Sequence, residues 1–194
     1  MVHLQLFTDG SIDTRSNVGV GAYLLLSETN TSLDSLHERV KLKRFDNSSS
    51  TKLELQTLLW ALRAEEIGDD HILTIYTDSQ NIISLPGRQA RLESSNYISR
   101  NNKPLANAKL YQEFYQLTDG WFGSLKKASS STAVDTSNKY SLVKLKGHKA
   151  ASEKDKFDHL FSLVDRAARR GLREVILGNP LFIAEMVALD SDSK

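Results

Sequence analysis

At 194 residues, 40% apolar and 25% charged, the chain is long enough to bury one sizeable core and has the make-up of a soluble globular domain. The absence of cysteine excludes disulfides and thiolate-bound metals and is compatible with a cytoplasmic setting. A formal net charge of +1 gives no global field for nucleic acid, so any basic surface must be local. No apolar run reaches the roughly 20 residues needed to cross a bilayer, and Met1-Val2-His3 lacks the basic lead of a signal peptide.

Leu4 to Ser11 reads as a strand that ends on the Asp9 carboxylate at a glycine-containing turn. After a polar turn, Val18 to Leu26 gives a second strand, and the short connection implies an antiparallel hairpin. Leu36 to Phe45 alternates apolar and charged residues and predicts a third, half-exposed edge strand blunted by Lys41 and Lys43. From Ser50 or Thr51 the period changes. Leu55, Leu58, Leu59 and Leu62 recur at helical spacing, predicting a helix to about Glu66 that Gly68 ends.

Ile72 to Thr77 is almost continuously apolar and β-branched, as a central strand covered on both faces should be. Asp78-Ser79-Gln80 opens a short helix that Pro86-Gly87 should interrupt. The polar stretch from Arg88 to Lys103 predicts a basic loop or broken helix. Leu105 to Leu117 is helical, with Leu110, Phe114 and Leu117 on one face. Gly123 to Asn138 has little to bury and predicts a mobile segment. Tyr140 to Lys146 alternates as a last strand, and the loop at Gly147-His148-Lys149 leads to a helix with Phe157, Leu160, Phe161, Val164 and Ala168 on its inner face. Residues 1–170 are expected to form one catalytic domain. Residues 171–194 form an appendage broken by Asn179-Pro180, with a frayed acidic end.

This order implies an α/β domain with a mixed sheet: three antiparallel strands, then a crossover helix that sets the fourth strand parallel to the first. Open α/β sheets place their sites where strand order switches, and Asp9 and Asp78 would share that rim. Each acid has a plainer reading. Asp9-Gly10 suits a turn, Glu54 can close a capping box with Thr51, Asp78 can cap the next helix, and Asp158 can complement a helix dipole. Their joint occurrence suggests more. Four converging carboxylates repel unless cations sit among them, and oxygen-only ligands favour magnesium or manganese over zinc. Two such ions roughly 3.5–4 Å apart suit phosphodiester chemistry.

Thr8-Asp9-Gly10-Ser11, Leu53-Glu54-Leu55 opening a helix, Tyr76-Thr77-Asp78-Ser79-Gln80, and Lys146-Gly147-His148 followed ten residues later by Asp158 together resemble the type 1 ribonuclease H family. The resemblance spans about residues 2–170. It implies a five-stranded mixed sheet flanked by helices and endonucleolytic cleavage of the RNA strand of RNA–DNA hybrids, leaving 5′-phosphate and 3′-hydroxyl ends. Asp9, Glu54, Asp78 and Asp158 match the family's ligands for two Mg2+ ions, with Mn2+ as an alternative. His148 matches a loop histidine that assists proton transfer or product release. Gly10, Ser11, Ser50, Thr51 and Gln80 fall where the family touches the hybrid. The implied protein is a monomer with the hybrid as its partner and no membrane association.

Two departures stand out. Family members often carry Asn-Asn where this chain has Ser50-Thr51, and the family's Trp- and Lys-rich handle gives way to Pro86-Gly87, three arginines and Tyr97. Hybrid binding should therefore lean on Arg88, Arg91, Arg100, Lys103, Lys144, Lys146 and Lys149. Rival readings are weaker. A proofreading-type exonuclease needs an acid where Ser11 stands. A transposase-type triad would recruit Glu113 and leave Glu54 and His148 idle. A hybrid-binding module without catalysis has no use for clustered acids.

Overall fold

The computed structural model describes residues 1–27, 33–68, 70–128, 139–145, 155–180, 182, 183 and 186. Five strands form one sheet in the order β3-β2-β1-β4-β5: β1 (Val2–Asp13), β2 (Val18–Ser27), β3 (Lys41–Phe45), β4 (His71–Thr77) and β5 (Tyr140–Lys144). β1 pairs antiparallel with β2, and β2 with β3, while β4 runs parallel to both β1 and β5. The α/β mixed sheet expected from the sequence is therefore present. Asp9 lies inside β1, two residues beyond the last β1–β4 register pair, and Asp78 directly follows β4; the turn expected at Gly10 is absent, because β1 stays paired with β2 through Asp13.

The helices are α1 (Ser50–Ala64), α2 (Gln80–Ile83), α3 (Leu85–Ser94), α4 (Ala108–Ala128) and α5 (Lys156–Ile176). Strand alternation sorts β1 between two cores. Leu4 and Leu6 join Leu55, Leu58 and Phe114 on the face covered by α1 and α4. Phe7 joins Leu160, Phe161 and Val164 on the face covered by α5. By the same parity Gly10 faces α1 and Asp9 faces α5. A Cβ on Gly10 would stand 2.8 Å from Leu53 Cγ, which confirms the assignment.

Other elements follow the sequence expectation in kind and differ from it in their bounds. The edge strand begins only at Lys41, because Leu33–Arg39 forms a 3₁₀ helix. Leu36 plugs into the α5-side core at 1% exposure while His37, Glu38 and Arg39 stay exposed, so the single buried contact there is that of a helical turn. Pro86 does mark the expected break, since α2 ends at Ile83 and a separate α3 begins at Leu85. It sits in the first turn of α3, where a missing N–H costs no internal bond. The stretch read as a basic loop or broken helix is helical to Ser94, and then turns through Asn96, Tyr97 and Asn102 at positive φ. α4 starts at Ala108 and runs to Ala128, past the glycine at which a loop was expected. Of that expected loop, residues 129–138 lie outside the described residues, as do Lys146, Gly147, His148 and Lys149.

α5 crosses the sheet diagonally. Phe157 stacks on Tyr76 of β4 with centroids 5.0 Å apart, and Tyr76 stacks on Phe7 of β1 at 4.6 Å. Further along, Gly171 comes so close to β2 that a Cβ would be 2.9 Å from Val20 Cγ1. α5 continues unbroken through residue 170, where the sequence suggested a boundary. Phe182, Ile183 and Met186 then pack with Leu172, Val175 and Val20. Among the described residues, no helix is long and apolar enough to cross a membrane.

Candidate functional site

Small residues set the rim. Cβ atoms on Gly10 and Gly19 would collide with Leu53, and one on Gly21 would stand 2.1 Å from Thr57 Oγ1, so α1 lies closer to β1 and β2 than ordinary side chains allow. That approach brings the first turns of α1, and with them Glu54, to the end of the sheet. The capping readings weighed for Glu54 and Asp78 both give way. The N-cap of α1 is Ser49, with no side-chain cap bond, and the N-cap of α2 is Ser79, whose Oγ accepts the Ile82 N–H at 3.3 Å. The same Ser79 hydroxyl donates to Glu54 Oε2. Asp78 is left exposed at the strand end, and Ser79 links the two acids by holding one while following the other in sequence.

The electrostatics record the convergence. Burial pushes the Asp9 carboxyl up to about 8, and the neighbouring Asp78 and Asp165 charges add to this against the Gly10 N–H, which donates to Asp9 Oδ1 at 2.8 Å. Burial also raises Glu54, with the Asp78 charge adding and the Ser79 and Ser50 hydroxyls opposing. Three acids from β1, α1 and β4 therefore sense one another at one rim.

On the α5 side two acids come into question, Asp158 and Asp165. Asp158 is the N3 residue of α5, where it closes a capping box: its carboxylate accepts the Asp155 N–H at 3.0 Å, and Asp155 Oδ1 accepts the Asp158 N–H at 2.8 Å. Asp165 is the α5 acid that acts on Asp9, helping to raise its carboxyl. It lies seven residues later on nearly the same helix face, about 10 Å further along the axis. α5 passes from Tyr76 of β4, against Phe157 near its start, to Val20 of β2, against Gly171, so successive turns of the helix face different strands. A signal for Asp165 was present. It is an acid placed beside Val164 and Ala168, both wholly buried, on the inner side of the helix.

The remaining site candidates divide. Gly10 and Ser11 lie on β1 at the rim, and Ser50 and Thr51 are exposed in the first turn of α1, with Ser50 Oγ 3.5 Å from Glu54 Oε1. Gln80 Oε1 accepts from Lys144 Nζ at 2.5 Å, tying α2 to the end of β5. Arg88 is not a free surface cation. It packs 5.4 Å from the Tyr111 ring centroid and donates to Asn81 Oδ1 at 2.9 Å, at the junction of α2, α3 and α4. His148 and Lys146 lie outside the described residues. Glu113, the acid of the rival triad, pairs with Arg63 of α1.

Asp9, Glu54, Asp78 and Asp165 offer oxygen only, and Asp9 and Asp165 can meet only if they share a proton or a cation. That donor set fits a hard divalent ion. Among the described residues, however, no three His, Cys, Asp or Glu already stand in a metal-holding arrangement.

The RNase H family model matches residues 2–127, a span that includes Asp9, Glu54 and Asp78 and ends before β5 and α5. No curated protein matches significantly. The solution structure of the PFV RNase H domain is similar at a TM-score of 0.60 and 16% identity, over 87% of this chain and 93% of that one. A foamy viral protease-reverse transcriptase in complex with dsDNA gives 0.53 and 11%, over 86% and 93%. The same kind of protein in complex with an RNA/DNA hybrid gives 0.55 and 12%, over 88% of this chain and 20% of that one. At these identities the structures speak for the fold. The family rests on the sequence model, which spans well over half of the residues: this chain belongs to the RNase H family.

Proposed function

We propose that this protein is a divalent-metal-dependent endoribonuclease that cuts the RNA strand of RNA–DNA hybrids, leaving 5′-phosphate and 3′-hydroxyl ends. The observation that carries the reading is the meeting of Asp9, Glu54, Asp78 and Asp165 from four separate elements at one sheet edge. In this reading Asp9 is the central ligand, flanked by Glu54 and Asp78 on one side and Asp165 on the other. Two bound ions, Mg2+ or Mn2+, would supply an activated water and neutralise the leaving oxygen. Ser79 orients Glu54 through its hydroxyl. Gly10, Ser11, Ser50 and Thr51 present small polar groups and backbone to the shallow minor groove, where 2′-hydroxyls distinguish RNA from DNA. His148 is kept as a proton-transfer candidate on its sequence position alone.

The test is cleavage of matched RNA–DNA, RNA–RNA and DNA–DNA duplexes with Mg2+, Mn2+ or EDTA. The expected result is internal cuts only in the RNA of the hybrid, abolished by EDTA, by Asp9→Asn and by Asp78→Asn. Tight hybrid binding without cutting would move the chain to a binding module, and comparable cutting of duplex DNA would overturn the substrate assignment.

A further inference from the structure

Asp165 has a second neighbour. One turn later on α5, Arg169 Nε stands 2.7 Å from Asp165 Oδ1, with side-chain exposures of 60% for the arginine and 30% for the acid. A pair four residues apart on a helix is usually a solvated surface contact with no role beyond the helix. This one differs because its acid is shared with the buried Asp9 carboxyl. Among the described residues, Arg169 is the one cation in an ion pair with any of the four clustered acids. The guanidinium therefore stands against a carboxylate that a divalent ion must also use, and it repels any cation entering beside that carboxylate.

We propose that Arg169 is a positioning residue and a built-in competitor for the divalent ion. Its Nε–H bond anchors one oxygen of the Asp165 carboxylate, and its charge raises the metal concentration at which the cluster fills. The inference rests on the nuclease reading above. It adds that this chain sets its own metal requirement through a side chain that touches neither substrate nor ion.

Two variants separate charge from geometry. Arg169→Gln removes the charge and keeps an N–H donor, whereas Arg169→Lys keeps the charge and loses the planar fork. Mn2+ binding to the full chain is measured by the electron paramagnetic resonance signal of the free ion, at about 0.02 M and about 0.5 M salt. Arg169→Gln should bind Mn2+ about 3- to 10-fold more tightly at the lower salt, with the gap closing at the higher salt. Arg169→Lys should stay within about twofold of the parent chain, since the point charge remains. The Mg2+ concentration for half-maximal hybrid cleavage should fall in the glutamine variant, in step with its affinity. Unchanged or weaker binding by Arg169→Gln overturns the inference, as does equal tightening by Arg169→Lys. If the parent chain binds no Mn2+ at all, the nuclease reading falls together with this one; if it binds and the glutamine variant matches it, only the inference about Arg169 falls.

Discussion

Glu54 and Asp78 lie on one side of Asp9 and Asp165 on the other, and the two sides are built differently. On the α1–β4 side the acids are fixed by short-range features: a strand end, a helix start, three glycines that let the helix close in, and a serine that caps one helix while binding the acid of another. On the α5 side the acid is fixed by a long-range crossing, set by the Phe157–Tyr76–Phe7 stack at one end of the helix and by Gly171 against Val20 further along. A local motif names its own residue. A crossing angle selects a residue by where the helix happens to pass, and an acid two turns earlier has an equal claim in the sequence.

The sharpest way to break this comparison is to treat the two acids of α5 alike. Asp165→Asn should lower hybrid cleavage by at least about 100-fold, the scale of losing one preorganised group that stabilises transition-state charge. Asp158→Asn should change the rate only a few-fold, because its work is at the helix cap. Asp158→Ala should instead lose about 1 kcal/mol of stability, read by urea denaturation. If the two asparagine variants are inactivated equally, Asp158 belongs to the metal cluster and the capping account is wrong.

What was legible follows the same division. The sheet, its mixed pairing, and the placing of Asp9, Glu54 and Asp78 at one rim came from periodicity and from acids expected at element ends, although β1 runs on past Asp9 to Asp13. Those are local signals that the fold preserves. Asp158 was selected by its spacing from His148, and a spacing along the chain does not say which turn of a helix reaches the sheet rim. Arg88 was read as a surface cation for a related reason. A sequence marks it as basic but does not show that Tyr111 and Asn81 wait across a helix junction to bury it. Ser79 was visible only as part of a motif. Its link to Glu54 needs the packed α1, which depends on glycines whose purpose is clear only once Leu53 and Thr57 lie over them.

The α1–β4 side can be tested through those glycines. Gly21→Ala would drive a methyl to 2.1 Å from Thr57 Oγ1 and 3.0 Å from Phe45 Cε2. Thr57 cannot give way, since it is wholly buried and its hydroxyl donates to the Leu53 carbonyl at 2.8 Å. The expected loss is about 2–4 kcal/mol in chemical denaturation, with cleavage falling as α1 and Glu54 are pushed outward. Gly87→Ala is the control. Nothing lies within 4 Å of the added methyl, and this helical position should gain about 0.5–1 kcal/mol from reduced backbone entropy. A harmless Gly21→Ala would mean that α1 is not held by close approach, and the local account of Glu54 would fail with it.

The smallest effect probes Asp9, where the two sides meet. Its carboxyl is raised from the ordinary 3.8 to about 8 by burial, Asp78 and Asp165, so the folded metal-free protein keeps a proton there that the unfolded chain releases. Stability from this group is therefore full below about pH 4 and is lost as the pH climbs toward 8. Asparagine carries no such charge. Asp9→Asn should melt close to the parent near pH 4 and above it at pH 8 in EDTA, by about 1–3 kcal/mol after allowance for solvent around the half-buried rim. Mg2+ should raise the parent's melting point at pH 8 and leave the variant nearly unmoved, because the ion takes over the neutralising part that the proton plays without it. A parent and variant that melt in parallel from pH 4 to pH 8 would show that Asp9 is not crowded by like charge. The rim would then be a row of independent acids, with no reason to gather a cation.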